Sequence, residues 1–200
     1  MKRFNGYDEA KKNAQYKGAP KLPAGAYVLK ILNVRYEKGK DGNSDTITVQ
    51  LDVAEGEYKD FYKKDFESNT SEDKKWRGRK VIYVPKEDGS ERDKWTMNAF
   101  AKWTNALEDS NPGYSWDWDE NKWKGLEIGA VYRNSHKMIE GKPVSFTEIG
   151  YVTNSKDVRE GNTAPAKEYF SKDWNAGANS SATKDSFVNV PEGVDEEIPF

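Results

Sequence analysis

The stretch LPAGAYVLKILNVRYEK (22–38) decides the fold, because its apolar phase changes partway along. Tyr27, Leu29 and Ile31 occupy alternate positions on one face, and Leu32, Val34 and Tyr36 then occupy the other. Side chains on a strand alternate with a period of two, so a face that flips without a break in the apolar run requires one extra residue in the strand, a β-bulge. This is the pattern of a long, coiled strand that serves two halves of a curved sheet. A plain amphipathic strand would not show it.

The segments around it supply partners. Asp41-Gly42 marks a turn within KGKDGNS (38–44), and DTITVQLDVA (45–54) alternates cleanly, with Ile47, Val49, Leu51 and Val53 inward and Thr46, Thr48, Gln50 and Asp52 outward. EGEYKDFYKKDFESN (55–69) reads as a polar loop and RKVIYVP (79–85) as a third strand. From Ser90 the period becomes helical, with Trp95, Ala99, Trp103 and Ala106/Leu107 in one stripe and Phe100 beside it. Ser90 and Asp93 form a capping pair, and Asn111-Pro112-Gly113 stops the helix. Two more strands, 129–139 and 142–152, meet at Glu140-Gly141. The expected fold is mainly β: a five-stranded OB-type barrel with one α-helix between strands 3 and 4, followed by a disordered C-terminal tail. The expected division is a polar segment 1–20 with a short helix within Tyr7–Tyr16, a barrel domain 21–155, a flexible linker 156–190 and an acidic tip 191–200.

Composition limits what such a chain does. Charged residues make up 33% and hydrophobic residues 35% of its 200 residues, so the core is modest. Aromatics reach 13%, more than a small barrel buries, and rings left on a charged surface suit flat ligands. The net charge of −2 conceals an asymmetry. Residues 185–200 hold five acids and no Lys or Arg, leaving 32 basic against 29 acidic residues in the body, a net of +3. Cysteine is absent, which excludes disulfides and thiolate metal sites. No apolar run approaches a membrane span, and the N-terminal residues lack a secretory h-region; a soluble, cytoplasmic protein is expected.

Between Tyr58 and Tyr83, rings alternate with cations that outnumber acids by three. Lys74-Lys75-Trp76-Arg77-Gly78-Arg79-Lys80 places five cations and one Trp in seven residues. Cations follow phosphates and rings stack on bases, so the candidate nucleic-acid contacts are Tyr62, Lys63, Lys64, Phe66, Lys74, Lys75, Trp76, Arg77, Arg79 and Lys80, extended by Arg133 and Lys137 on the fourth strand. Tyr58, Phe61 and Tyr83 read as core. Trp116, Trp118 and Trp123 read as a packing cluster in acidic surroundings, and His136 as plain surface.

The last six residues, Asp195-Glu196-Glu197-Ile198-Pro199-Phe200, join acids to an apolar Pro-Phe end that fits a pocket rimmed by Arg or Lys. This end resembles the C-terminal tip of bacterial and phage single-stranded DNA-binding proteins. The body resembles phage-encoded proteins with an LPAG-type first strand and an AEGEYKD-type segment after the second, several of which are thought to bind single-stranded DNA. The resemblance implies protection of single-stranded DNA during replication or recombination, with partner proteins recruited through residues 195–200. It implies no catalysis, cofactor or metal; homo-oligomerisation is left open. Three other classes compete. They are an adaptor with the same tail but no DNA affinity, a carbohydrate-binding module using the exposed rings, and a metal-dependent nuclease using Asp117, Asp119 and Glu120.

Overall fold

The computed structural model describes residues 5–7, 20–40, 42–71 and 73–174. Strand β1 (Gly25–Glu37) pairs antiparallel with β2 (Thr46–Val53), and the register slips between Ile31 and Asn33. Leu32 is the additional residue. Leu29 and Ile31 before it are fully buried, whereas Leu32 is exposed and Val34 packs against the rim of the core. The phase flip in the sequence is therefore the bulge it predicts. The N-terminal half of β1 also pairs with β4 (Glu127–Ile139), from Gly25–Tyr132 to Lys30–Glu127, so β1 is shared between two ladders.

On β2 the four inward positions are at most 3% exposed. Strand β3 (Arg79–Tyr83) pairs with Thr46–Gln50, and β4 pairs along its length with β5 (Lys142–Thr153). Both residues of the turn Glu140-Gly141 have positive φ, 49° and 72°, the conformation of a two-residue hairpin turn whose twist matches its strands. The strand order is β3-β2-β1-β4-β5. This sheet is open: among the described residues no ladder joins β3 to β5, and the hydrogen-bonded ring of a closed barrel is not formed. β3 is five residues long and is followed within two residues by Pro85, which has no N–H for a further strand.

Helix α2 (Glu91–Ser110) lies between β3 and β4 in the chain and packs on β4 and β5. Ser90 caps it, accepting from Asp93 N at 3.1 Å, while the Asp93 carboxylate turns back to Lys86 N (2.7 Å). Its buried face comprises Phe100, Trp103, Thr104, Ala106 and Leu107. The stripe starts one turn later than the sequence suggests, since Trp95 is 53% exposed and Ala99 lies outside as well.

Two segments differ from the sequence expectation. The polar loop contains helix α1 (Phe61–Ser68), preceded by Asp60 in the left-handed region with no cap from its own side chain. The cap is Asp52, expected to face outward from β2 but 4% exposed: it accepts from Tyr62 N (2.9 Å) and Lys63 N (3.0 Å) as well as Val53 N (2.9 Å). Beyond residue 155, where a linker was expected, the chain forms helix α3 (Ser155–Glu160) and strand β6 (Tyr169–Phe170). Asn154 caps α3 through Asp157 N (2.7 Å), and Arg159 bonds Glu55 and Glu127 at 2.9 and 2.7 Å. β6 pairs parallel with β4, Ser135 facing Tyr169. The rest of the expected linker, the acidic tip, and all of the expected N-terminal helix except Tyr7 lie outside the described residues.

Candidate nucleic-acid interface

Ten of the twelve candidate contacts lie on α1 and on the strap 74–80 that leads into β3. The strap is fastened from below. Arg77 Nε donates to Asp65 at 2.6 Å, and a second guanidinium nitrogen reaches Pro20 O at 3.0 Å. Asp65 is the buried residue of α1. Gly78 is fixed by space: a Cβ there would meet Leu51 O at 2.3 Å and the Tyr62 ring at 2.5 Å. Lys63, Lys64, Lys74, Lys75, Arg77 and Arg79 are exposed around this frame.

Trp76 is more constrained than its charged flanks suggest. It is half-buried, its indole N–H is shared between Leu51 O (3.1 Å) and Gly78 O (2.9 Å), and its ring lies 5.8 Å from Phe66. Lys74 Nζ sits 4.6 Å over the other ring, Phe66. Tyr62 belongs to a packed aromatic chain, Tyr27–Tyr58–Phe61–Tyr62, with its hydroxyl donating to that of Tyr132 at 3.3 Å. Burial pushes the Tyr27 phenol up to about 12, with Tyr58 and Tyr62 adding to the shift, so this phenol stays neutral at physiological pH.

Arg133 and Lys137 lie in a second cluster, on the β4–β5 hairpin. The turn register sets Arg133 opposite Glu148, Ser135 opposite Phe146 and Lys137 opposite Val144, while β6 sets Tyr169 beside Ser135. Cross-strand partners share a face, so a row of cations and rings forms on one side of the sheet. Glu148 accepts from Arg133 at 3.0 Å and from Lys137 at 3.5 Å. The Arg133 guanidinium lies 4.7 Å from the Tyr169 ring centre, and Lys137 Nζ lies 5.3 and 5.4 Å from Phe146 and Tyr169. Lys80, on β3, feels the same charges electrostatically. Its burial pushes the ammonium below the usual lysine range, Glu148 opposes that shift, and Arg133 and Lys137 reinforce it. Gly150, the bulge residue of β5, makes room: a Cβ there would stand 2.8 Å from Ala166 and 3.2 Å from Arg133 Cδ.

No family model matches the chain, and no curated protein is detectably similar. Its own residues therefore carry the functional reading.

Phe146, Glu148 and Tyr169 were missed from sequence. A signal existed for the first two, because a two-residue turn at Glu140-Gly141 alone dictates which residues face each other across β4 and β5. Tyr169 had no such signal, since its parallel pairing follows a long excursion through α3. The tryptophan loop divides. Trp123 is fully buried against Trp116 at 5.1 Å, whereas Trp118 is 80% exposed with φ 67°. His136 stacks on Phe170 at 4.6 Å and shares a hydrogen bond with Ser145 at 2.8 Å. Asp117 pairs with Lys122, which holds its carboxyl below the usual range, and Asp119 accepts from Asn121 N at 3.1 Å. Among the described residues no group of three or more His, Cys, Asp or Glu side chains is placed to hold a metal ion, and no helix is long and apolar enough to cross a membrane.

Proposed function

We propose that this protein binds single-stranded DNA on an OB-type sheet, has no catalytic activity, and recruits replication or recombination proteins through Asp195–Phe200. The observation that carries the reading is the grouping of Arg133 and Lys137 on β4 beside the rings of Phe146 and Tyr169. Cations and rings interleaved on one surface are what a flexible strand requires: phosphates take the charges and unpaired bases take the π-faces. A central bulged β1 shared between β2 and β4, with a helix between β3 and β4, supports the OB-type assignment. The strap 74–80 lengthens the cationic track toward α1.

The test is fluorescence anisotropy of labelled oligo-dT with the unmodified protein and with Arg133→Ala/Lys137→Ala. The double variant should bind more weakly, and its salt slope should flatten by about 0.7 for each phosphate no longer neutralised. An unchanged slope with an intact fold refutes the placement of the site. For the tip, Phe200→Ala should abolish capture of a replication or recombination partner while leaving oligo-dT affinity unaltered. Retained capture removes that part of the proposal.

A further inference from the structure

Glu148 sits among the cations that a phosphate would need. One of its oxygens takes two bonds from Arg133, from Nε at 3.3 Å and Nη2 at 3.0 Å, and the other faces Lys137 at 3.5 Å. We propose that Glu148 is an internal phosphate mimic, which occupies the backbone-phosphate subsite of the free protein and is displaced when single-stranded DNA enters. The inference rests on the DNA-binding reading above and adds to it a residue that sets its affinity.

Three observations support displacement rather than a permanent structural pair. The first is geometric. Arg133 presents its fork to one carboxylate oxygen only, short of the two-oxygen match that an Arg makes with a carboxylate or phosphate at its best. A phosphate has oxygens enough to fill both arms of the fork and still reach Lys137. The second concerns what remains when Glu148 leaves. Tyr169 lies against Arg133, and Phe146 and Tyr169 against Lys137, so ring contacts hold both cations in place independently of the carboxylate. The cluster is thus preorganised for an anion.

The third is Ser135. It lies between Arg133 and Lys137 on the same face of β4, is fully buried, and its hydroxyl has no hydrogen-bond partner. Buried hydroxyls are nearly always satisfied, and an orphan beneath two cations offers a donor to an incoming anion.

The experiment compares oligo-dT binding by the unmodified protein, Glu148→Gln and Glu148→Asp at two salt concentrations, with thermal unfolding of each as a check on folding. Glu148→Gln keeps the shape and removes the competing charge. It should bind about tenfold more tightly at low salt, the factor for taking one charge-assisted hydrogen bond out of competition, with a slope steeper by about 0.7. Glu148→Asp keeps the charge and should gain no such affinity. If the unmodified protein binds and a folded Glu148→Gln binds equally or more weakly, the mimic is refuted and the DNA-binding reading stands. If neither binds oligo-dT at low salt, both fall. Should Glu148→Gln fail to fold, the unmodified protein still decides: the Arg133 Nε–H resonance must shift on saturation with oligo-dT as its acceptor changes. A fixed resonance, while other signals move, overturns the proposal.

Discussion

Replacing Asp52 with Asn tests how the fold builds the surface that carries Lys63, Lys64 and Phe66. Asp52 accepts from Val53 N and Tyr62 N on one oxygen and from Lys63 N on the other, all between 2.9 and 3.0 Å. Asn retains one acceptor oxygen but turns an NH2 group toward the third donor. Leaving one N–H without an acceptor in a buried place costs about 1–3 kcal/mol. The expected deficit is about 2 kcal/mol, a fall in Tm of roughly 4–8 °C for a domain of this size.

The pH dependence gives a second handle. Burial raises the Asp52 carboxyl above its ordinary value despite three opposing N–H donors. A raised carboxyl binds protons more readily folded than unfolded, so its contribution is fullest below the unfolded pKa and is lost as pH rises through the folded one. The advantage of the unmodified protein over Asp52→Asn should therefore shrink as pH climbs out of the acid range. Urea unfolding followed by tryptophan emission measures the deficit, and hydrogen exchange at Tyr62 and Lys63 localises it. A change in Tm below 1 °C, or faster exchange everywhere except in α1, refutes Asp52 as the cap.

Other outcomes follow from the strap. Gly78→Ala should destabilise by about 2–3 kcal/mol, because the carbonyl of Leu51 cannot retreat from a Cβ at 2.3 Å; thermal unfolding checks it. Trp76→Phe should cost about 1–2 kcal/mol in urea unfolding, because the Leu51 carbonyl loses its indole donor while Gly78 O keeps the Leu51 N–H, and oligo-dT affinity should stay within a factor of two. A large affinity loss with full stability would instead return Trp76 to the role of stacking platform. Trp118→Ala, at a ring 80% exposed, should move stability by less than about 0.5 kcal/mol.

What could be read from the chain was whatever depended on local period and turn chemistry. The flip from Ile31 to Leu32 gave the bulge, the alternation from Ile47 to Val53 gave β2, and Glu140-Gly141 gave the hairpin. What escaped depended on partners distant in sequence. Helix α1 has no useful cap of its own and is held by Asp52, eight residues before Asp60; nothing in FYKKDFES announces that. Trp76 looked exposed because its neighbours are charged, yet Leu51, from β2, accepts its N–H. Arg133 and Lys137 were recognisable as cations on a strand, but their grouping with Tyr169 needed a parallel β6 that composition alone assigned to a linker. Ring closure was over-read: five strands and a helix in the right order do not determine whether a five-residue β3 reaches β5.

The central claim is that this surface takes a single strand and reads its phosphates and free bases together. The most direct test titrates intrinsic tryptophan emission with oligo-dT at two salt concentrations, with duplex DNA of equal length as competitor. The account predicts saturable binding without added metal or cofactor, weaker as salt rises, with duplex competing poorly because its bases are stacked away from the rings. Equal affinity for duplex and single strand, or no binding to either at low salt, would contradict it.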